Sequence, residues 1–332
     1  MSTLWPSEIP IILFIQNLGA WLTPIMKGLS FLGTEDFFMI GMPVIFWCLD
    51  AGLGLRLGFL ILSSSSLNGW LKYAFQGSRP YWFDSRVKGL ASETSFGFPS
   101  GHSQSAAMIW NRVALWIKRI WAWIAAILIT LGIAFSRIYL GVHFISDVIG
   151  GLLICVVFLI VFVLLEKPVI RLWKTISLPL QIVIGFLFSC VLIAIELLFA
   201  RSLAGYVVPS DWLANAAKAF PTISIVPIDI TGIFTIAGTL FGMIVGISWI
   251  NARGGFMVAS KWHHKFFSLI LGLVGVFAIR MGLDLIFPAD ANWVGYLFRY
   301  LRYFLVGVWV TGFAPMIFIA LKWAKSNKNE KS

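Results

Sequence analysis

Residues 120–165 read IWAWIAAILITLGIAFSRIYLGVHFISDVIGGLLICVVFLIVFVLL and place a short polar stretch between two long apolar runs. The runs, near 120–136 and 143–165, are long enough at about 1.5 Å per residue to cross or nearly cross a hydrocarbon core of about 30 Å. The stretch between them, SRIYLGVHFISD at Ser136–Asp147, carries Arg, His and Asp side chains. This pattern predicts two membrane-spanning helices whose connecting turn holds a cluster of ionisable groups.

The composition favours the same fold class along the whole chain. Of 332 residues, 59% are hydrophobic and only 12% are charged, whereas a soluble domain carries about 25% charged residues. A globular core cannot absorb so much apolar surface, but a lipid bilayer can. We therefore predict an all-α fold, a polytopic transmembrane helical bundle. The net charge of +11 does not indicate a nucleic-acid partner, because the cations form no soluble basic domain.

Further apolar runs mark the other candidate spans. They lie near 34–50, 54–73, 102–117, 176–199, 228–251, 266–287 and 299–321. The first of them is the weakest, because Pro43 interrupts it. Residues 8–30 mix apolar with polar and basic side chains, so we expect either a surface-lying or a re-entrant helix there.

The distribution of motifs divides the chain into two parts. Residues 1–165 are predicted to form the catalytic domain, because a five-helix unit at 34–165 holds every motif described below. Residues 166–332 add about four transmembrane helices and a short basic tail, without a catalytic pattern. The basic stretch from Lys167 to Lys174 is the expected boundary.

The basic residues in alternate loops predict the orientation in the membrane. One side of the expected bundle collects 13 of the 25 Lys and Arg residues, and none of these belongs to a motif. Cytoplasmic loops retain Lys and Arg. We therefore expect a cytoplasmic C-terminal tail, which includes Lys328 and Lys331, and motifs that face the periplasm or exterior of a bacterial inner or plasma membrane.

His143 and Asp147 are four residues apart at the start of a predicted helix, and residues at i and i+4 share a helix face. A carboxylate at that position can accept the Nδ1 hydrogen of the imidazole, which leaves Nε2 free to attack phosphorus. The alternative interpretation is a helix-capping Asp beside an interfacial His.

Three cations accompany this pair. Arg137 lies six residues before His143, and its guanidinium offers bidentate donors that match phosphate oxygens. Lys72 and Arg79, in the stretch KYAFQGSRP, are expected to reach the same anion from the neighbouring outward loop. For any one of these residues alone, the alternative is a side chain that extends to the lipid headgroups.

The tetrapeptide Pro99-Ser100-Gly101-His102 ends a loop rich in Gly and Ser and precedes a predicted helix. Free backbone N–H groups at a helix start bind anions. Ser100 can donate its hydroxyl or cap the helix, and His102 is suited to protonate a leaving oxygen as a general acid. The alternative interpretation is an ordinary helix N-terminus.

Together these stretches make the chain resemble the type 2 phosphatidic acid phosphatase family, part of the lipid phosphatase and haloperoxidase superfamily. Its signature, KxxxxxxRP, PSGH and SRxxxxxHxxxD, occurs here in order and without departure within about residues 70–150. The resemblance implies a metal-independent, cofactor-free phosphatase with a six-helix core. It also implies a nucleophile that forms a phosphohistidine (His143), a general acid (His102), an orienting carboxylate (Asp147) and phosphate ligands (Lys72, Arg79, Ser100, Gly101 and Arg137). Vanadate-dependent haloperoxidases share the signature, but they are soluble.

The favoured function is hydrolysis of a membrane lipid phosphate monoester or a prenyl diphosphate, because a bundle of spanning helices admits substrate from the bilayer. The alternatives are a phosphatase of soluble esters, as in the related glucose-6-phosphatases, and a phosphotransferase that uses a lipid or sugar hydroxyl. A further alternative is a non-enzymatic transporter or interaction protein that retains an inactive catalytic site. Arg280 and Asp284, which could pair on one helix face, are the only residues that suggest transport. The oligomeric state is not predicted.

Overall fold

The computed structural model describes residues 4–288 and 290–326, and the side chain of residue 35 lies outside that description. Lys328 and Lys331 of the expected basic tail also lie outside the described residues. The described residues are organised as helices joined by short turns and loops, as the apolar composition predicts.

The first half of the chain contains the helices that carry the predicted motifs. They are α1 (Trp5–Gln16), α2 (Thr23–Phe31), α3 (Glu35–Val44), α4 (Ala51–Phe75), α5 (Pro80–Phe83), α6 (Gly101–Ile117), α7 (Ile120–Tyr139) and α8 (Ile145–Trp173). A π-helical turn, Ile45–Leu49, extends α3. The loop between α5 and α6, residues 84–100, has no helix or strand.

The second half contains the remaining helices of the described chain. They are α9 (Leu178–Ser202), α10 (Ser210–Ala219), α11 (Thr231–Ala252), α12 (Trp262–Asp284), α13 (Trp293–Val308) and α14 (Ala314–Ala320). A π-helical turn, Trp309–Phe313, joins α13 to α14, so that Trp293–Ala320 counts as one candidate span.

Six helices in the described part of the chain are long and apolar enough to cross a membrane: α7, α8, α9, α11, α12 and the joined α13–α14. The three remaining predicted spans are helical as well, but α3 and α6 are shorter. Helix α4 has 25 residues but carries Ser63–Ser66 and Asn68 in its middle. The structure therefore confirms a polytopic helical membrane protein. The less apolar helices α4 and α6 contribute polar side chains to the site described below, as do the apolar helices α7 and α8.

The N-terminal segment forms two helices, α1 and α2, that are bent by 87° at a short break. Gly19 lies in this break with φ +122°, a backbone conformation that residues with a Cβ rarely adopt. Such a pair is either a broken span or a re-entrant loop. Of the two alternatives expected for residues 8–30, the re-entrant one agrees with this geometry, whereas a broken span was not among them.

The chain folds into two compact units. Unit 1 comprises Met1–Phe38, Ser64–Phe162 and Leu197–Asp229, and it contains all the motif residues. Its largest buried cluster includes Trp5, Ile9, Trp82 and Phe144. The N-terminal helix α1 is therefore part of the core of this unit.

Unit 2 comprises Met39–Ser63, Val163–Glu196 and Ile230–Ser332. Its buried cluster includes Trp47, Phe256, Val276 and Phe318. Helices α3, α4, α8 and α9 contribute residues to both units. Helix α8 runs through Lys167 and Pro168 to Trp173, so the expected boundary is helical almost to its end. The functional division at 165/166 stays a prediction.

An ion pair between helices replaces the pair that the sequence suggested within α12. Asp284 pairs with Arg302 of α13, whereas the Arg280 guanidinium contacts the Sδ atom of Met39 at 3.2 Å. The sequence left open an intrahelical or an interhelical tie for these residues, and the structure shows the interhelical one at Asp284. A carboxylate can reach a partner on a neighbouring helix as easily as one a turn away, and only the packing decides which.

Glycines let α11 approach α13 closely in unit 2. A Cβ atom built at Gly238 or Gly242 would overlap the carbonyl oxygens of Tyr300 and Phe304. These glycines are four residues apart and so lie on one face of α11. Small residues at helix interfaces permit this approach within membranes, where dispersion contacts drive association.

Gly242→Ala is expected to destabilise unit 2. The added methyl group meets backbone that cannot move as a flexible side chain can, and overpacking of this kind costs about 1–3 kcal/mol. The thermal midpoint of the detergent-solubilised protein should fall. Gly232→Ala on the same helix is the control, because apart from its chain neighbours and the adjacent backbone of α11 no described atom lies within 4 Å of its Cβ position. Equal midpoints for the two variants would contradict the interface assignment.

Candidate active site

The turn between α7 and α8 brings Arg137, His143 and Asp147 together. Gly141, at φ +74°, lets the chain reverse after α7. The N–H groups of Val142 and His143 then donate to the Arg137 carbonyl at 3.2 and 3.3 Å. The turn therefore folds back on the last turn of α7.

Asp147 has two functions at the start of α8. Its Oδ2 atom accepts the Phe144 N–H at 2.9 Å, and it lies 3.3 Å from His143 Nδ1. The two alternatives considered for this residue, a helix cap and an imidazole partner, thus occur together. One carboxylate oxygen fixes both the backbone and the imidazole ring.

His143 is buried, with 1% of its surface exposed. With Nδ1 directed at Asp147, its Nε2 atom lies 3.3 Å from Arg79 Nη1. Burial lowers the pKa of His143 well below its ordinary value, and the charges of Arg79 and Arg137 lower it further. The imidazole is therefore neutral at pH 7, with Nδ1–H donating to Asp147 and the Nε2 lone pair directed at a cation.

Arg79 is completely buried, and hydrogen bonds fix its guanidinium. Nε donates to Ser95 O at 2.7 Å, and Nη1 donates to Val142 O at 2.9 Å. Nη2 lies 3.2 Å from both Phe96 O and Ser95 Oγ. A buried charge is costly unless its donors are satisfied, so these contacts hold the loop 84–100 against the α7–α8 turn.

Lys72 approaches the same region from the end of α4. Its Nζ donates to Ser95 Oγ at 2.8 Å. Ser95 therefore lies between Lys72 and Arg79, the two cations of the first motif. The structure brings them together, as the sequence predicted, but through a serine that the motif does not contain.

Ser100 begins α6 as its N-cap. Its Oγ accepts the Ser103 N–H at 3.4 Å, and its own N–H donates to the Asp147 carbonyl at 3.0 Å. A Cβ atom at Gly101 would lie 3.1 Å from Asn68 Oδ1. The capping alternative is thus present in the structure, and the contact of Ser100 and Gly101 with phosphate stays a prediction.

His102 lies in the first turn of α6, partly exposed and beside Gly33 in the turn between α2 and α3. A Cβ atom at Gly33 would lie 3.3 Å from its Cδ2 atom. The charges of Arg137, Lys72 and Arg79 all act on the His102 imidazole. His102 in turn acts on His143. The two imidazoles of the signature therefore belong to one electrostatic cluster.

Glu93 is the main site residue that the sequence did not indicate. Its carboxylate forms ion pairs with Arg137 and Arg79, the latter at 3.5 Å. The residue lies in the polar loop stretch Ser92–Ser95, SETS, between the first two motifs. An acidic residue between phosphate-binding motifs is a signal, but no periodicity shows where a loop side chain points.

The N-terminal helices also contribute to the site. Arg137 Nη1 donates to Ser30 Oγ of α2 at 2.6 Å. Gln16 Nε2 donates to the Lys88 and Tyr139 carbonyls at 2.8 and 3.0 Å. The bent α1–α2 pair thus contacts Arg137, the end of α7 and the loop 84–100. No motif marks this contribution, because it comes from residues more than 100 positions from Arg137.

A network of buried side-chain amides connects α4 to the first turns of α6. Asn68 Nδ2 donates to Gln104 Oε1 at 2.9 Å, and Gln104 Nε2 donates to Ser64 Oγ at 2.7 Å. Asn68 Nδ2 also reaches the Pro99 carbonyl at 3.2 Å. This network accounts for the polar residues within α4 and fixes the start of α6 relative to it.

The arrangement suits the chemistry of a tetrahedral anion. Three cations and a neutral imidazole nitrogen lie in one region, and such an arrangement can stabilise a phosphoryl transition state. Within residues 4–288 and 290–326, no group of three His, Cys, Asp or Glu side chains is placed to hold a metal ion.

Two family models match the chain. The PAP2 superfamily model matches residues 53–171, and the model for the transmembrane extension of PAP2 superfamily phosphatases matches residues 234–326. The first match contains all three signature stretches. The second lies within unit 2, which the signature does not reach.

Several characterised proteins are similar to this chain. Phosphatidylglycerophosphatase B of Bacillus subtilis is 31% identical over 40% of this chain and 68% of its own length. A probable sphingosine-1-phosphate phosphatase of Dictyostelium discoideum is 27% identical over 45% of this chain and 40% of its own length. A glucose-6-phosphatase catalytic subunit 1 of Haplochromis nubilus is 29% identical over 33% of this chain and 39% of its own length.

A solved structure is also similar. It is the crystal structure of a transmembrane PAP2 type phosphatidylglycerolphosphate phosphatase from Bacillus subtilis, with a TM-score of 0.40 and 26% identity over 48% of this chain and 86% of that one. The matched family models, the 31% identity over two thirds of a relative and the intact signature lead to one conclusion. The chain belongs to the PAP2 superfamily of phosphatases.

Proposed function

We propose that this protein hydrolyses a membrane lipid phosphate monoester or a prenyl diphosphate through a phosphohistidine at His143, without a metal ion. The contact that carries this proposal is the 3.3 Å approach of His143 Nε2 to Arg79 Nη1, with Nδ1 directed at Asp147. This contact supports the proposal, because a nucleophilic Nε2 beside Arg79 would face a phosphoryl group whose oxygens that cation binds.

In the first step, Nε2 of His143 attacks phosphorus, and the bond between phosphorus and the leaving oxygen breaks. His102, starting as the protonated imidazolium, gives one proton to that oxygen and becomes neutral. Asp147 stabilises the positive charge that develops on the imidazole. Arg79, Arg137, Lys72 and the amides of Ser100 and Gly101 bind the equatorial oxygens.

In the second step, a water molecule attacks the phosphohistidine. The P–N bond breaks, His143 recovers its lone pair, and His102 accepts the proton of the water. Inorganic phosphate leaves. Each residue thereby returns to its starting protonation state, and the net reaction consumes one water molecule.

A lipid substrate fits the setting of the site. Six helices of the described chain are long and apolar enough to cross a membrane, and proteins named for phosphatidylglycerophosphate, sphingosine 1-phosphate and lipid phosphate are among those similar to this chain. Glucose-6-phosphatases are also similar, which keeps soluble phosphate esters as the second candidate. Discharge of the phosphohistidine by an alcohol instead of water would make the protein a phosphotransferase.

The orientation of the site belongs to the same proposal. The basic loops on the side opposite the motifs support a cytoplasmic C-terminus, because cytoplasmic loops retain Lys and Arg. The site then opens to the periplasm or exterior of a bacterial inner membrane. A cysteine-accessibility measurement at the C-terminal tail of intact cells tests this orientation.

Phosphate release from a panel of substrates tests the function. The purified protein should release phosphate from at least one of phosphatidate, phosphatidylglycerophosphate, undecaprenyl diphosphate and a sphingoid phosphate. It should do so faster than from glucose 6-phosphate and equally well with a chelator. His143→Ala should abolish release, because no other nitrogen takes the place of Nε2. Full turnover by that variant would overturn the mechanism.

Arg137→Ala and Ser30→Ala test the anion site and its support. Loss of one preorganised donor costs about 10²–10³ in rate, so we expect Arg137→Ala to lower kcat by that factor with the fold retained.

Ser30 contributes a hydrogen bond to a charged group, worth about 1.5–3 kcal/mol, so Ser30→Ala should lower kcat/KM by about tenfold.

Ser7→Ala is the matched control for Ser30→Ala. The Ser7 hydroxyl donates to the Leu4 carbonyl on the exposed part of α1, so its loss should leave kcat/KM unchanged. Ser30→Thr, which retains the hydroxyl, should restore most of the activity. If Ser30→Ala were as active as Ser7→Ala, α2 would have no part in positioning Arg137.

A further inference from the structure

Glu93 occupies an unusual position for a carboxylate, since it lies among the cations expected to bind phosphate. Its Oε1 atom pairs with Arg137 Nη2, and its Oε2 atom lies 3.5 Å from Arg79 Nη2. The two oxygens of one carboxylate thus contact two different arginines. Two oxygens of a phosphate group bound between the same guanidinium groups would make the same contacts.

The backbone of Glu93 is fixed independently of its side chain. The Tyr81 hydroxyl donates to the Glu93 carbonyl at 2.9 Å and accepts the Glu93 N–H at 3.2 Å. The adjacent Thr94 carbonyl accepts the Val226 N–H at 3.1 Å. These contacts hold the loop backbone in place, while 24% of the Glu93 side chain is exposed.

The carboxylate is ionised in this setting. Burial raises the pKa of Glu93, but the charges of Arg79 and Arg137 lower it more, so that it lies below its ordinary value. A phosphate dianion that entered with Glu93 in place would meet a like charge at close range, which is unfavourable in a poorly solvated site.

We propose that Glu93 is an internal competitor for phosphate, and that its carboxylate must leave Arg79 and Arg137 when a phosphate group binds there. This inference rests on the proposed function, which assigns both arginines to phosphate. Its consequence is a weak affinity for inorganic phosphate, because the returning carboxylate replaces the departing product. Glu93 would thereby determine how readily the enzyme releases its product.

A purely positioning role for Glu93 predicts the opposite change in phosphate affinity. If Glu93 served only to hold Arg137 in position for substrate, its removal would loosen the guanidinium and weaken phosphate binding. If Glu93 competes, removal of its charge strengthens phosphate binding. The direction of the change in affinity therefore separates the two roles.

The test measures inhibition by inorganic phosphate, together with phosphate-dependent thermal stabilisation, for the full-length protein in detergent. We expect Glu93→Gln to bind phosphate about tenfold more tightly than the natural protein, which corresponds to about 1.4 kcal/mol of lost competition. Unchanged or weaker binding would overturn the inference.

Asp84→Asn is the matched control, since it removes one carboxylate charge from the same loop. Asp84 pairs with Arg86, at 2.7 Å, on the exposed part of the loop. Exposed pairs contribute little, so this variant should bind phosphate as the natural protein does. An equal gain in both variants would indicate a general charge effect and would also overturn the inference.

Glu93→Asp keeps the test decisive if the Gln variant does not fold. Its side chain is one methylene shorter, and the contact with Arg79 is already at 3.5 Å. The variant should therefore lose that contact and bind phosphate more tightly, by a smaller factor. No gain in this variant would overturn the inference.

Arg137→Ala separates failure of this inference from failure of the proposed function. If the natural protein binds phosphate and Arg137→Ala weakens that binding, the phosphate site stands, and the result for Glu93→Gln decides the inference alone. If the natural protein and Arg137→Ala behave alike, Arg137 is not a phosphate ligand, and both proposals are wrong.

Discussion

The buried guanidinium of Arg79 is the constraint on which the geometry of the site depends. A charge removed from water costs several kcal/mol unless its donors are satisfied. Here the acceptors come from Ser95 and Phe96 in one loop and from Val142 in another. Because these carbonyls must meet at one guanidinium, the first and third motifs are held together, and His143 Nε2 is placed against Arg79.

The accumulated positive charge explains the residues around that contact. Lys72, Arg79 and Arg137 repel one another in a region that water reaches poorly. Glu93 lies between Arg79 and Arg137. Ser30 accepts a hydrogen bond from Arg137, and Ser95 accepts hydrogen bonds from Lys72 and Arg79. In our proposal a substrate phosphate replaces the Glu93 carboxylate as the anion beside Arg79 and Arg137. The two arginines therefore have an anionic partner in both the free and the bound enzyme.

Much of the fold was predictable, because a bilayer requires apolar helices of sufficient length. The apolar runs near 120–136 and 228–251 became α7 and α11 with ends shifted by a few residues. The exact ends of the helices and the partners of their charged side chains were harder to predict. The expected boundary at Lys167 is helical, and Asp284 pairs with Arg302 instead of Arg280. Hydropathy measures burial in lipid, but it does not show which helices contact each other.

The sequence by itself determined the chemistry that is local. The i, i+4 spacing of His143 and Asp147 on one helix start fixes their proximity, and the order of the motifs identifies the family. Only the tertiary structure decided that Nε2 of His143 meets Arg79, that Glu93 lies between two arginines and that Ser30 supports Arg137. These contacts join segments 14 to 107 residues apart through loops and helix packing, and no periodicity of the chain encodes such distances.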